Sequence, residues 1–116
     1  MKHETFTIEK PWGKFEQYSH NETSTVKIIS VKKGEILSLQ SHKKRDELWV
    51  ALEEGLTAII NGKEISLKKG QTVYIPKKTK HRIKASKDAR FLEISFGEFD
   101  EKDITRYEDV YGRVKK

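Results

Sequence analysis

The sequence predicts an all-β domain, a barrel or a sandwich, on three observations. Short segments rich in β-branched, aromatic and leucine residues recur through the middle of the chain. Glycine, asparagine and proline punctuate them at close spacing. No long stretch between them carries apolar residues at helical period. At 116 residues the chain holds one core and not two, so a single domain over 1–116 is expected.

The elements follow in order. VKIISV (26–31), ILSLQ (36–40), LWVAL (48–52), TAII (57–60), KEISL (63–67), TVYI (72–75), HRIK (81–84) and FLEISF (91–96) each read as a strand. Asn61-Gly62 is the strongest turn signal, because a two-residue hairpin loop needs positive φ at both central positions. Lys33-Gly34, Gly55, Lys69-Gly70 and Ile75-Pro76 mark further turns. Residues 1–24 form a polar arm with one aromatic island, PWGKF; residues 25–97 form the barrel; residues 98–116 form a tail. Within the tail, EFDEKDITRYEDVYGR predicts a short helix capped by Asp100 or Asp103, with Ile104, Tyr107 and Tyr111 on one face. The chain also echoes itself. VKKGEILSLQSH and LKKGQTVYIPKKTKH each run from Lys-Lys-Gly through an apolar strand to a histidine.

Alternation assigns faces. Ile36, Ser38, Gln40 and His42 share one side of their strand, and Leu37 and Leu39 share the other. In LWVAL both faces are apolar, Leu48, Val50 and Leu52 opposing Trp49 and Ala51. A strand open to water on one side alternates cleanly. The outer side is therefore expected to be covered by the terminal segments, by another subunit, or by both, and a homodimer is the economical reading.

Composition narrows the function. There is no cysteine, hence no disulfide framework and no thiolate metal site. No run of 18 apolar residues reads as a membrane span, and MKHETFTIEKPWG lacks the apolar core of a signal peptide. A cytoplasmic location is the expectation. The net charge of +6 favours anionic partners, yet the lysines lie in scattered pairs rather than one block. They read as a solvated surface, and without clustered basic residues interleaved with exposed aromatics a nucleic-acid partner is not expected, nor is a membrane partner; phosphorylated small molecules stay among the anionic partners that the charge favours.

Four residues could carry chemistry together. Gln40 and His42 share a strand face, Glu47 opens the next strand, and His81 leads another after a proline turn. If the barrel closes, all four point inward at one level. Oxygen and imidazole donors without sulfur suit one divalent ion such as zinc, manganese, cobalt, nickel or iron. His3 and His20 lie in the polar arm without such company and read as surface residues.

The spacing Gly34-x5-Gln40-x-His42-x4-Glu47, followed by Gly70-x5-Pro76-x4-His81, resembles the two-part signature of the cupin superfamily. Lys10-Pro11-Trp12-Gly13, LSLQ over 37–40, Arg45, Glu47-x-Trp49, Tyr74-Ile75-Pro76, His81-Arg82 and Asp109-x-Tyr111-Gly112-Arg113 extend the resemblance to the type II mannose-6-phosphate isomerase domain. That domain also forms the C-terminal part of bifunctional mannose-1-phosphate guanylyltransferases. The resemblance implies a double-stranded β-helix (jelly-roll) barrel with a metal held by Gln40, His42, Glu47 and His81. It also implies metal-dependent interconversion of mannose 6-phosphate and fructose 6-phosphate.

The chain departs from the family at places that bear on catalysis. Lys43 and Lys44 stand in place of a histidine-rich run, Leu48 in place of a frequent histidine, Lys78 in place of the second motif's glycine, and Ala85 in place of its asparagine. The alternative is therefore a metal-binding cupin that takes a sugar or a phosphorylated metabolite without isomerising it. Arg82, Arg45, Lys27 and Arg113 are the candidates for holding a phosphate. Arg82, Lys44 and Arg45 are the catalytic candidates, Arg82 toward a phosphate or an oxyanion; the general base stays unidentified, Lys44 and Glu93 being possible without support from spacing. Among the aromatics, Trp49 is expected in the core.

Overall fold

The computed structural model describes residues 5–114. Eleven strands and no helix are found among them. They are β1 (Phe6–Lys10), β2 (Gly13–Gln17), β3 (Ser24–Val31), β4 (Leu39–Ser41), β5 (Glu47–Ala51), β6 (Leu56–Ile60), β7 (Lys63–Leu67), β8 (Thr72–Ile75), β9 (His81–Ala85), β10 (Ala89–Phe96) and β11 (Thr105–Glu108). The order β3-β10-β5-β8 makes one sheet and β11-β4-β9-β6-β7 the other, while β1 and β2 form a separate hairpin. All pairings are antiparallel. The inner faces of the two large sheets enclose Trp49, Leu56, Ile75, Ile83 and Phe91, the buried apolar centre of the jelly roll.

Local chemistry explains the turns. Asn61 and Gly62 both take positive φ, 50° and 79°, as the two-residue loop between β6 and β7 demands. The internal echo is structural as well. In each Lys-Lys-Gly turn the residue after glycine donates its amide back to the first lysine, Glu35 to Lys32 at 3.0 Å and Gln71 to Lys68 at 2.9 Å. Gly34 and Gly70 supply the positive φ, 83° and 86°, that the third position of such a turn requires. Each glycine amide then donates to an alanine carbonyl, Gly34 to Ala85 and Gly70 to Ala51. The two turns thus join β4 to β9 and β8 to β5 in the same way.

Three expectations are corrected. Residues 98–113 form no helix: a turn-bearing loop leads into β11, which pairs with β4. The strands begin earlier than residue 26, since within the arm Phe6–Lys10 and Gly13–Gln17 pair as a hairpin. The alternation over 36–42 also breaks. Ile36 bridges Lys84 while Gln40 faces His81, so four steps along one strand match three along the other. This extra residue is a bulge, which reverses parity. As a result Leu37, whose amide donates to Ile83 at 2.9 Å, packs against the core rather than outside it. Leu39 stays outside, beside Ile59 and Arg82.

Both faces of β5 are buried. Trp49 and Ala51 enter the main core, as expected for Trp49. Leu48 packs with Ile94 and Phe96 in a second cluster that Tyr18 and Leu92 cover in part. No helix among the described residues is long and apolar enough to cross a membrane.

Candidate metal centre

His42, Glu47 and His81 come from three places that the fold brings together. His42 directly follows β4, Glu47 opens β5, and His81 opens β9. The group therefore bridges the two sheets at one end of the barrel. One donor atom from each lies within 4.8 Å of the others, and all three side chains are buried. His42 Nε2 is 3.4 Å from Glu47 Oε2, and His81 Nε2 is 3.6 Å from Glu47 Oε1.

The surroundings prepare these atoms as ligands. His42 Nδ1 donates to the Asp103 carbonyl at 2.7 Å, and His81 Nδ1 donates to the Thr79 carbonyl at 2.9 Å. A carbonyl can only accept, so Nδ1 carries the proton and each Nε2 offers a lone pair inward. Burial is the main cause that lowers both imidazole pKa values below the ordinary 6.5, against the opposing pull of the Glu47 charge. Both rings are thus held neutral, the form that binds metal. Glu47 Oε1 and His81 Nε2 are buried without a hydrogen-bond partner. A buried polar atom left unpaired costs on the order of 1–3 kcal/mol, which a shared cation would offset. The donor set, two imidazoles and a carboxylate, suits a borderline divalent ion.

Gln40 sits across from His81 in register, and its Oε1 accepts from the Ser38 hydroxyl at 3.3 Å. Its register opposite His81 puts the two residues on one face of the sheet. Arg45, also buried, donates from Nε to Glu47 Oε2 at 3.1 Å and from Nη2 to His42 Nε2 at 3.3 Å. Its guanidinium places positive charge directly beside the Glu47 carboxylate and the His42 ring. Glu93, on β10 opposite Trp49, is buried inside the barrel. Burial first, and the Glu47 charge second, raise its carboxyl to about 7.

The remaining candidates scatter. Arg82 turns away from the metal group: its Nε donates to the Leu37 carbonyl and its Nη1 pairs with Glu108 at 3.3 Å. Arg113 is gripped by Asp109 at 2.7 Å. The Lys27 ammonium lies over the Phe99 ring, 4.1 Å from its centroid. Lys44 is exposed, and its backbone amide donates to Asp103. His20 is exposed, and His3 lies outside the described residues.

Sequence reasoning missed what the tail contributes. The Asp103 carboxylate accepts from the amides of Lys43 and Lys44 while its carbonyl orients His42. It fixes the loop between His42 and Glu47 rather than capping a helix. The Asp100 carbonyl accepts from Arg45, and Phe99 stacks under the same guanidinium. Arg106, in register with Gln40, was also unseen.

Comparison with known proteins places the chain. Residues 1–109 match the family model described as "Mannose-6-phosphate isomerase C-terminal". The chain is 36% identical over 110 residues to the mannose-1-phosphate guanylyltransferase ManC of Salmonella typhimurium, covering 92% of this chain and 23% of that protein. It is 36% identical over 111 residues to the xanthan biosynthesis protein XanB of Xanthomonas campestris, covering 92% of this chain and 24% of that one. The chain therefore spans about a quarter of the length of these curated relatives. Among solved structures, the nucleoside dehydratase Pac13 of Streptomyces aligns with TM-score 0.68 at 12% identity, over 91% of this chain and 87% of that one. KdgF of Halomonas aligns with TM-score 0.64 at 15% identity, over 73% and 78% respectively. At such identities the likeness establishes the cupin-like barrel and nothing of the chemistry.

These findings correct the functional expectation. The similar full-length proteins are named for guanylyl transfer or polysaccharide biosynthesis, with this domain as one part. A stand-alone isomerase of mannose 6-phosphate is not what they support. Nearly the whole chain, metal group included, falls within a single family match, and the chain belongs to the mannose-6-phosphate isomerase C-terminal family.

Proposed function

We propose that this chain is a metal-centred domain that binds a phosphorylated hexose within the mannose-phosphate chemistry named in its relatives. The observation that carries the reading is the pair of orphaned buried atoms, Glu47 Oε1 and His81 Nε2, beside the lone pair of His42 Nε2. His42, Glu47 and His81 would hold the ion, with Gln40 as a fourth donor. A bound divalent ion would supply Lewis acidity toward sugar oxygens. The protein's own part is to keep both imidazoles neutral, to hold Arg45 against Glu47, and to shield the group from bulk water with the 98–104 loop. The direct check is calorimetric titration of metal-loaded and metal-stripped protein with mannose 6-phosphate, mannose 1-phosphate and mannose. Saturable binding of a phosphorylated sugar by the loaded form alone supports the reading, and no binding of either phosphate by the loaded form overturns it.

The domain also works, in this reading, as a homodimer. The β1–β2 hairpin pairs with no other strand among the described residues, yet exposes Phe6, Ile8 and Phe15. Ile8 faces Phe15 and Phe6 faces Gln17, so these apolar side chains share one face. A lone hairpin is marginal in water. On β3, an edge strand, Val26 and Ile28 are 57% and 58% exposed. A two-fold contact in which each hairpin covers the other copy's β3 buries both surfaces at once.

A further inference from the structure

We propose that Arg106 is the residue that holds the anionic group of the ligand. The inference rests on the phosphorylated-ligand reading above and names the part of the site that reading lacks.

The placement comes from register. Arg106 on β11 lies opposite Gln40 on β4, and Gln40 lies opposite His81 on β9. Residues directly opposite in neighbouring strands share a face. Arg106 therefore stands on the same face as His81 of the metal group and as Gln40, the proposed fourth donor. Strands lie about 4.8 Å apart, so its backbone is roughly 10 Å from that of His81. A hexose carrying one phosphate bridges such a gap between a metal and a guanidinium.

The state of the side chain points the same way. Arg106 Nε is buried with no hydrogen-bond partner. No hydrogen bond or ion pair of its side chain occurs among the described residues, and Arg106 is half-buried. The other arginines considered are already engaged: Arg45 with Glu47, Arg82 with Glu108, Arg113 with Asp109. An Nε–H sheltered from water without an acceptor is costly, and a phosphate offers an acceptor to it and to the terminal nitrogens of the same fork.

A cavity adjoins Arg106 on the side of the 101–106 segment, and His42, Glu47 and His81 are not part of its lining. Arg106 lines a cavity of about 600 Å³ together with Lys102, Arg113, Ile104, Thr105 and Glu101. Lys102 adds a second positive charge at the wall. Glu101 adds a negative one, which disfavours a ligand bearing several anionic groups over one bearing a single phosphate. The ligand class is accordingly a phosphomonoester of a polyhydroxylated molecule.

Two titrations on the full chain test this. In metal-stripped protein, the Arg106 Nε–H resonance is followed by ¹H–¹⁵N NMR during addition of inorganic phosphate, assigned through loss of the signal in Arg106→Gln. A saturable shift of that resonance is expected. In metal-loaded protein, Arg106→Gln is expected to weaken mannose 6-phosphate or mannose 1-phosphate at least 10-fold, with Arg106→Lys in between. Metal stoichiometry should stay unchanged. Because the guanidinium has no partner to lose, the melting temperature of Arg106→Gln should not fall; a structural role would lower it. Phosphate that shifts Arg106 without any sugar phosphate binding would sink the ligand reading and leave this one standing. Sugar-phosphate binding that Arg106→Gln leaves intact, or an Arg106 signal indifferent to phosphate, would overturn it.

Discussion

The backbone amide of Lys78 donates to the carbonyl of His42 at 2.6 Å, tying the turn before His81 to the first metal-group histidine. The bond forms with Lys78 at φ 67°, in the left-handed region. This is where the family's motif carries glycine, so the lysine keeps the turn at a steric cost. Lys78→Gly should relieve it and raise stability by about 1 kcal/mol, while Lys78→Ala should leave stability nearly unchanged. Urea unfolding midpoints at constant slope check both. A glycine variant less stable than the parent would show that the lysine side chain contributes more than the strain it causes.

Stability should depend on pH through two opposed sets of groups. His42 and His81 are held below their ordinary value of 6.5, so the folded form binds fewer protons than the unfolded chain just below that pH. Their contribution is complete above about 6.5 and is lost as pH falls from there. Glu93 behaves oppositely, since its carboxyl is raised from 4.5 to about 7. The stability tied to its protonated form is complete below 4.5 and lost as pH rises towards 7. In metal-stripped protein, Glu93→Gln should therefore gain on the order of 2–3 kcal/mol over the parent above pH 7, and the gain should vanish near pH 4.5. Chemical denaturation across pH 4.5–8 reads this out. A constant difference between the two proteins would show that Glu93 does not titrate in that window.

The hairpin should decide the oligomeric state. Phe15 and Ile8 face each other on its apolar side. Ile8→Lys together with Phe15→Glu should convert a dimer to a monomer in sedimentation velocity. The barrel should keep its melting behaviour, because the hairpin forms a sheet of its own. A parent protein that is monomeric at tens of micromolar would contradict the pairing outright.

Much of this was legible in the sequence where local chemistry decides. Asn61-Gly62 needs positive φ at both positions, and the Lys-Lys-Gly turns need it at one, so those corners were readable without tertiary context. The strands from Ser24 to Phe96 followed from β-branched and aromatic runs. Pairing partners were not legible. Thr105–Glu108 offers Ile104, Tyr107 and Tyr111 at helical spacing, yet the unpaired edge of β4 draws it into the sheet. The bulge before Gln40 exists only relative to β9, so alternation along one strand could not reveal that Leu37 turns inward. Asp103 lies 61 positions from His42, and Arg106 precedes the motif that drew notice to the tail. Nothing near either residue announces the metal group. The function read from resemblance was narrower than the relatives support, because one domain's family name was taken for the activity of the whole.

The most direct measurement is metal stoichiometry on chelator-stripped protein after separate reloading with zinc, manganese, cobalt, nickel and iron, for the parent and for His81→Ala. The account predicts one ion per chain for at least one of these metals. It also predicts at least a 100-fold loss of affinity in the variant, with the barrel still folded by circular dichroism. A folded parent that takes up none of the five, or a His81→Ala protein that binds as tightly as the parent, would contradict the metal centre.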